Sequence, residues 1–198
     1  NIACNPLASF ADAGYQTASF GKQHYNSKIA AFETQGGLVK TLDFKIYLGL
    51  LSETYNEAHA ADLARTGGVA FDMVVVNLYP FKQTVAKPGV TPEQARGNID
   101  IGGPSMIRAA AKNHDRVTVV VDPEDYPELI RAVASGTVDA ALKRRLAAKA
   151  FAHTAAYDAA ITTRLEPDHP EGLPPRLPLG LLRVNALRYG ENPHQQGA

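Results

Sequence analysis

The sequence predicts an α/β fold built around a parallel sheet. Two segments, 71–79 and 117–121, are rich in valine and apolar on both faces, which is typical of strands buried in a parallel sheet. Two helical candidates, 91–95 and 104–112, lie between them. Because a strand, a helix and a second strand in this order form a crossover unit, we expect the two strands to run parallel beneath a cover of helices.

The first part of the chain gives weaker signals. Residues 1–34 show no clear period, and residues 38–51 are more apolar. The segment 52–65 has a ragged apolar face at helical spacing, and it is followed by Gly67 and Gly68, which commonly end helices. We therefore predict a helix over 52–65.

The part after residue 123 predicts two helices and then a linker. The first helix covers 125–135 and ends at Gly136, while 138–163 is rich in alanine with larger apolar residues at helical spacing. The segment 166–180 is dense in proline and predicts a semi-rigid linker. The last residues turn polar and aromatic again, unlike an ordinary terminus.

Length and composition suit one domain with a small extension. The chain has 198 residues, of which 45% are hydrophobic, and its 20 basic and 20 acidic residues give no formal net charge. This balance argues against a nucleic-acid partner, which requires an excess of positive charge. We place an α/β domain at 1–122, a helical extension at 123–165, and the linker with its polar tail at 166–198.

Several classes of protein do not fit the sequence. Cys4 is the one cysteine, so no internal disulfide is possible and a reducing compartment is expected. No apolar run approaches the ~18 residues of a membrane helix, and the six histidines show no metal-binding spacing. We therefore expect a cytoplasmic protein with neither a membrane partner nor a bound metal.

The end of the first predicted strand carries two candidate site residues. Asn77 and Tyr79 lie where the valine-rich run 71–79 gives way to proline. Ligands of open parallel sheets bind at the carboxyl ends of strands, where an amide and a phenol can hydrogen-bond a polar guest. The alternative, of about equal weight, is that the tyrosine closes the sheet and the asparagine satisfies loop backbone.

A second candidate lies at the start of the predicted helix 104–112. Gly102 and Gly103 allow backbone to approach a ligand, and the free N–H groups of the helix favour an anionic or carbonyl-bearing guest. Asp100 is placed to accept hydrogen bonds from such a guest, or simply to cap the helix. Lys112 follows two turns later, and its simpler interpretation is a solvated lysine near a helix C-terminus.

Five longer motifs occur together, in one order, in one known family. They are DMVVVNLYPF at 72–81, NIDIGGPSMIRAAAKNH at 98–114, VDPEDY at 121–126, KAFAHTAAYD at 149–158 and RYGENPHQ at 188–195. On these motifs the chain resembles the IMP cyclohydrolase part of the bifunctional AICAR transformylase/IMP cyclohydrolase family over about residues 36–197.

The resemblance implies a fold, a reaction and an assembly. The fold is a doubly wound parallel sheet like that of methylglyoxal synthase, with flanking helices and a helical extension. The reaction is the dehydrative ring closure of 5-formamidoimidazole-4-carboxamide ribonucleotide (FAICAR) to inosine monophosphate (IMP), the last step of purine biosynthesis. The resemblance also implies a homodimer, no metal or organic cofactor, and an AICAR transformylase in the same chain or a separate one.

The resemblance also assigns individual residues. The catalytic set is Lys40, Tyr79, Asp100 and Lys112. The substrate-binding set is Thr41, Asn77, Ile101, Gly102 and Gly103. We expect Lys40 and Tyr79 to stabilise or protonate the formyl oxygen, Asp100 to orient and help deprotonate the carboxamide, and Lys112 to set the local charge. Arg188 and Tyr189 match residues that reach the transformylase substrate.

Some positions depart from the family pattern around Lys40. Leu38 stands where the family has arginine, Phe44 where it has proline, and Asp43 and Tyr47 where it has histidines. Loss of the arginine removes a bidentate phosphate donor. The two loops that hold the substrate phosphate in the family are not recognisable in residues 1–35.

These departures keep two other functions open. One is a catalytically impaired, dimerising partner that lends Arg188 and Tyr189 to a separately encoded transformylase. The other is a regulatory module that binds IMP without turnover. The survival of the strand-end residues favours the enzyme over the partner by about two to one.

Overall fold

The computed structural model describes residues 17–20, 34–35, 38–39, 42–166, 172–181 and 183. Its elements in chain order are β1 (Thr17–Phe20), β2 (Thr34–Gln35), β3 (Leu38–Val39), α1 (Phe44–Leu51), α2 (Glu57–Thr66), β4 (Met73–Val76), α3 (Phe81–Val85), α4 (Pro92–Gly97), α5 (Gly102–Lys112), β5 (Thr118–Val120), a short 3₁₀ helix (Pro123–Asp125), α6 (Tyr126–Ala134) and α7 (Ala140–Leu165). The chain divides into two compact units, Asn1–Thr154 and Ala155–Ala198, and the elements discussed below lie in the first unit, with α7 shared.

The first unit is organised around a parallel sheet. Its described strands have the order β1-β4-β5, and both pairings are parallel, with Met73 opposite Thr17 on one side and Thr118 on the other. Strands β2 and β3 form a separate antiparallel pair. The predicted α/β class with a parallel sheet is therefore confirmed, while the closer likeness to methylglyoxal synthase stays a prediction.

Strand β4 is buried on both faces. Val74 and Val76 belong to a core cluster that includes Ile107 of α5, whereas Met73 and Val75 belong to a second cluster that includes Leu129 of α6. Successive side chains of a strand point to opposite faces, so helices cover the sheet on both sides. This arrangement explains why the side chains on both faces of the strand are apolar.

The predicted helix over 52–65 is wrong in its first part. Helix α1 ends at Leu51, and α2 begins only at Glu57. Asn56 is the reason for the late start, because its side chain accepts hydrogen bonds from the N–H groups of Ala58 and His59 and so caps α2. Gly67 ends α2 in the left-handed conformation, as the glycine pair predicts.

The C-terminal end of α1 is fixed by side chains that follow α5. Arg116 donates to the carbonyls of Gly49, Ser52 and Phe71, and Asn113 donates to those of Leu50 and Ser52. These donors replace the intrahelical partners that the last carbonyls of a helix lack. Helix α1 is thereby anchored to the segment between α5 and β5.

Helix α1 also approaches the chain just before β4 very closely. A Cβ atom added to Gly49 would lie 2.1 Å from the carbonyl oxygen of Val69 and 2.8 Å from the ring of Phe71. Only glycine permits this approach.

In the part of the chain that the structure describes, no helix has the length and apolarity that a membrane span requires.

Candidate functional site

The carboxylate of Asp100 links the end of β4 to the start of α5. Its Oδ1 accepts a hydrogen bond from the backbone N–H of Gly103 at 2.9 Å, and its Oδ2 accepts one from the N–H of Tyr79 at 3.4 Å. Asp100 is 9% exposed and Tyr79 is 3% exposed. The structure therefore brings together two of the four predicted catalytic residues, with the carboxylate held by backbone donors.

Gly103 is required for this approach. A Cβ atom at this position would lie 2.6 Å from Oδ2 of Asp100 and 2.7 Å from a methyl group of Leu78. Gly102 and Gly103 are both buried in the first turn of α5, where the helix dipole favours negative charge. The Gly-Gly turn thus allows the Asp100 carboxylate to lie at the N-terminus of α5, where the helix dipole is positive.

The other predicted residues near this point are more exposed. Asn77 follows β4, and its Nδ2 donates to the Tyr126 hydroxyl of α6 at 3.4 Å. The amide therefore contacts α6, whereas Asp100 contacts α5. Ile101 lies immediately before α5 with its side chain exposed. Both residues lie at the carboxyl edge of β4, as predicted, and neither contacts the Asp100 carboxylate in the hydrogen bonds described.

Lys112 is not brought to the Asp100 carboxylate. It is the last residue of α5, and ten residues of helix separate it from Gly102, which corresponds to about 15 Å of axial rise. Its side chain is exposed. The catalytic assignment of Lys112 stays a prediction. Lys40, Thr41, Arg188 and Tyr189 lie outside the described residues.

A cavity opens beside Tyr79. Its volume is about 490 Å³, and Tyr79 links it to the Asp100 carboxylate. The remaining lining comes from residues 80–98, which include α3 and α4: Pro80, Thr84, Lys87, Pro88, Gly89, Val90, Gln94 and Asn98. The lining is mixed, with apolar prolines and valine, amide side chains and one ammonium group, which suits a polar small molecule.

Tyr47 of α1 is a residue that sequence reasoning marked only as a departure from the family pattern. Its hydroxyl is enclosed, and the Ser105 hydroxyl of α5 lies beside it. Burial raises the pKa of the Tyr47 phenol above 10.0; the neighbouring Ser105 hydroxyl opposes this rise, and the Asp100 carboxylate adds to it. Helix α1 thus brings a phenol close to Ser105 near the start of α5, which the glycine turn and strand-end signals do not reveal.

The other departures from the family pattern lie at the start of α1 and in β3, and one of them caps the helix. Asp43 caps α1, since its carboxylate accepts a hydrogen bond from the backbone N–H of Lys45 at 2.8 Å. Phe44 begins the helix and is exposed. Leu38 lies in β3. The acidic replacement of a histidine at position 43 therefore stabilises the helix start.

A second polar group lies at the end of β5. Lys149 of α7 contacts the carboxylates of Asp122 at 2.7 Å and Asp125 at 2.8 Å. The Lys149 hydrogen bond, followed by the backbone N–H of Glu124, lowers the pKa of Asp122. Burial lowers the pKa of His153, Asp122 opposes this shift, and Lys149 with Lys82 add to it. The group is an ion-paired support for the sheet end.

The described residues contain no group of three or more histidine, cysteine, aspartate or glutamate side chains placed to hold a metal ion. The Asp100 site offers one carboxylate, the buried Tyr79 and backbone amides. Such a set can position an amide and move a proton.

Comparison with known proteins places the chain in a family. The family model described as "AICARFT/IMPCHase bienzyme" matches residues 110–198. The "Bifunctional purine biosynthesis protein PurH" of Sorangium cellulosum is 52% identical over 176 residues, which are 84% of this chain and 33% of that protein. The protein of the same name from Bacillus cytotoxicus is 51% identical over 172 residues, covering 86% of this chain and 34% of that one.

A solved structure is also similar. The structure titled "Crystal structure of ForH" has a TM-score of 0.64 at 28% sequence identity and covers 81% of this chain and 91% of its own. The chain spans about a third of the length of the PurH relatives that it matches. With half of its aligned residues identical to theirs, the chain belongs to the AICAR transformylase/IMP cyclohydrolase family, and it corresponds to the IMP cyclohydrolase domain.

Proposed function

We propose that the chain is an IMP cyclohydrolase, which closes the ring of FAICAR with loss of water. The observation that carries this proposal is the Asp100 carboxylate, buried at the end of β4 and held by the N–H groups of Tyr79 and Gly103. Kinship with the purine biosynthesis protein PurH supports the choice of substrate.

The reaction joins two groups of one molecule. The carboxamide nitrogen attacks the formyl carbon, the formyl oxygen is protonated, and the resulting carbinolamine loses water to give IMP. The carboxamide nitrogen is a weak nucleophile, so the enzyme must hold it against the formyl carbon and remove a proton as the bond forms. A fixed carboxylate acceptor meets both needs.

Asp100 suits the role of the group that faces the carboxamide N–H. Its two oxygens accept hydrogen bonds from the backbone N–H groups of Gly103 and Tyr79, which hold the carboxylate at the end of β4. Tyr79 lines the adjacent cavity and, with Lys40, supports the formyl oxygen in this scheme. Thr41, Asn77, Ile101, Gly102 and Gly103 form the surrounding contacts in the same proposal.

The proposal extends to the fold family and assembly. Parallel strands with helices on both faces support a doubly wound sheet like that of methylglyoxal synthase. We also propose a homodimer, in which Arg188 and Tyr189 serve a transformylase active site in the same or another chain. Light scattering of the purified protein tests the dimer directly.

Ring closure followed by absorbance with the purified chain tests the main proposal. Wild-type protein should convert FAICAR to IMP, and Asp100→Asn should lower kcat by about 100-fold or more because it removes the proton acceptor and preserves the shape. Asp62→Asn, at an exposed carboxylate of α2, is the matched control and should match wild type. Equal turnover in wild type and Asp100→Asn contradicts the mechanism.

Lys112→Ala decides the assignment of Lys112. Lys112 lies in the last turn of α5, at the opposite end of the helix from Gly102. Its ammonium group would therefore reach the substrate from that end. Ring closure within a few-fold of wild type removes Lys112 from the catalytic set. A loss as large as that of Asp100→Asn retains it.

The second candidate function is the non-catalytic partner of a separate transformylase. It is favoured by the use of Asp43 as a helix cap in place of the family's histidine. Dimerisation without turnover and without IMP binding supports this alternative. Binding of IMP without turnover supports a regulatory module instead.

A further inference from the structure

The segment between β5 and α6 carries a motif that the proposed mechanism does not use. This is VDPEDY at 121–126, and Lys149 of α7 contacts both of its aspartates, Asp122 at 2.7 Å and Asp125 at 2.8 Å. Asp122 also accepts a hydrogen bond from the backbone N–H of Glu124 at 3.0 Å, and Asp125 is buried. The segment is therefore fixed at both ends of its 3₁₀ helix.

Tyr126 ends this segment and reaches the neighbouring strand end. Its ring packs against the core cluster that contains Met73 and Val75 of β4. Its hydroxyl accepts a hydrogen bond at 3.4 Å from Nδ2 of Asn77, the residue that follows β4. Because the ring is packed and its segment is ion-paired, the phenol is a fixed partner, whereas the Asn77 side chain is exposed.

We infer that Tyr126 is a positioning residue, which holds the Asn77 amide in place for the nucleotide. This inference rests on the proposed function, in which Asn77 contacts the substrate, and it adds a role for the VDPEDY segment. An exposed asparagine side chain can adopt several rotamers, and a hydrogen bond to a fixed phenol restricts them. A binding group that is already restrained loses less entropy when the ligand arrives, so the ligand binds more tightly. In this role Tyr126 acts only through Asn77.

A double-mutant cycle between Asn77 and Tyr126 tests this role. Ring closure of FAICAR is measured with wild type, Asn77→Ala, Tyr126→Phe and the double variant. We expect Asn77→Ala to lower kcat/KM about tenfold. Tyr126→Phe should raise KM about three- to tenfold, as the loss of one hydrogen bond allows, with kcat within about twofold of wild type. In the Asn77→Ala background, Tyr126→Phe should change kcat/KM by less than about twofold, because its partner is absent.

Tyr55→Phe is the matched control. Tyr55 is 80% exposed and lies between α1 and α2, so its variant undergoes the same chemical change away from the end of β4. It should match wild type in both kcat and KM. Urea unfolding of Tyr126→Phe establishes that this variant is folded under the assay conditions.

Three results would overturn the inference while wild-type turnover leaves the proposed function intact. One is an unchanged KM in Tyr126→Phe. Another is an equal effect of Tyr126→Phe in the wild-type and Asn77→Ala backgrounds, which assigns Tyr126 a structural role independent of Asn77. The third is wild-type kinetics in Asn77→Ala, which removes the contact through which Tyr126 acts. A folded wild-type chain that neither converts FAICAR nor binds IMP overturns the proposed function, and this inference with it.

Discussion

At the scale of single residues, Gly103 determines where the Asp100 carboxylate can lie. Gly103→Ala places a methyl group 2.6 Å from Oδ2 of Asp100, so the carboxylate must move away from its two backbone donors. We expect ring closure to fall at least tenfold, because small displacements of a reacting group have large effects on rate. Steady-state kinetics of purified Gly103→Ala measures this.

Gly97→Ala is the matched control for that change. Gly97 ends α4, and an added Cβ would meet no described atom within 4 Å. It should keep wild-type kinetics. Activity in Gly103→Ala equal to that of Gly97→Ala would show that the carboxylate position is not critical.

The residue scale also shows what sequence reasoning reaches. Asp100 and Gly103 were predictable because they are three positions apart at a helix start, where local chemistry decides the contact. The nearness of Tyr47 to Ser105 was not predictable, because it joins segments more than fifty residues apart in sequence. Nothing local in α1 distinguishes an enclosed tyrosine from an ordinary core residue.

At the scale of elements, Arg116 holds the end of α1. Arg116→Met removes the donors to four backbone carbonyls while keeping much of the side-chain volume. We expect the free energy of unfolding to fall by about 2–4 kcal/mol, since partly buried carbonyls lose charge-assisted hydrogen bonds. Urea denaturation measures the loss, with Arg144→Met on the exposed face of α7 as control. A change below about 0.5 kcal/mol would show that water replaces these bonds.

The ion pairs of Lys149 with Asp122 and Asp125 make the stability of the fold depend on pH. The folded pKa of Asp122 is lowered from 3.8, so its contribution to stability is present above that value and is lost as the pH falls through the folded pKa. Lys149→Met should therefore be less stable than wild type at pH 7, and the difference should shrink below about pH 4. Chemical denaturation across pH 2.5–8 measures this; a constant difference would contradict it.

His153, on the same helix, gives a second pH-dependent signal. Burial lowers its pKa below 6.5, so neutral histidine is favoured in the folded chain. Its contribution to stability is present above 6.5 and is lost as the pH falls through the lowered value. Proton NMR should give a midpoint below 6.5 for this ring in wild type. A midpoint at or above 6.5 would contradict its burial.

The elements differ in how well they were predicted. Strands β4 and β5 were predictable because burial on both faces demands an unbroken apolar run. The break between α1 and α2 was not, because Ser52 and Asn56 act there as caps in a stretch without glycine or proline. Helix α3 was also missed, since five residues after Pro80 are too few to show a period.

At the scale of the whole molecule, ligand binding should stabilise the fold. A nucleotide that binds only the folded chain adds about 2.7 kcal/mol at 100 times its Kd, which for a chain of this size raises Tm by roughly 5–10 °C. We expect this rise with IMP in thermal denaturation. No rise at saturating IMP would contradict nucleotide binding.

The central position of β4 also affects how the chain acquires its structure. Both neighbours of this strand come from distant parts of the sequence, β1 from before it and β5 from after it, separated from it by roughly 50 and roughly 40 residues that must close as loops. Local contacts alone cannot complete such a sheet, so its assembly is expected to be slow compared with that of a helical bundle. Until both neighbours dock, the valine-rich edges of β4 are free to pair with other chains, and aggregation competes with folding at that stage.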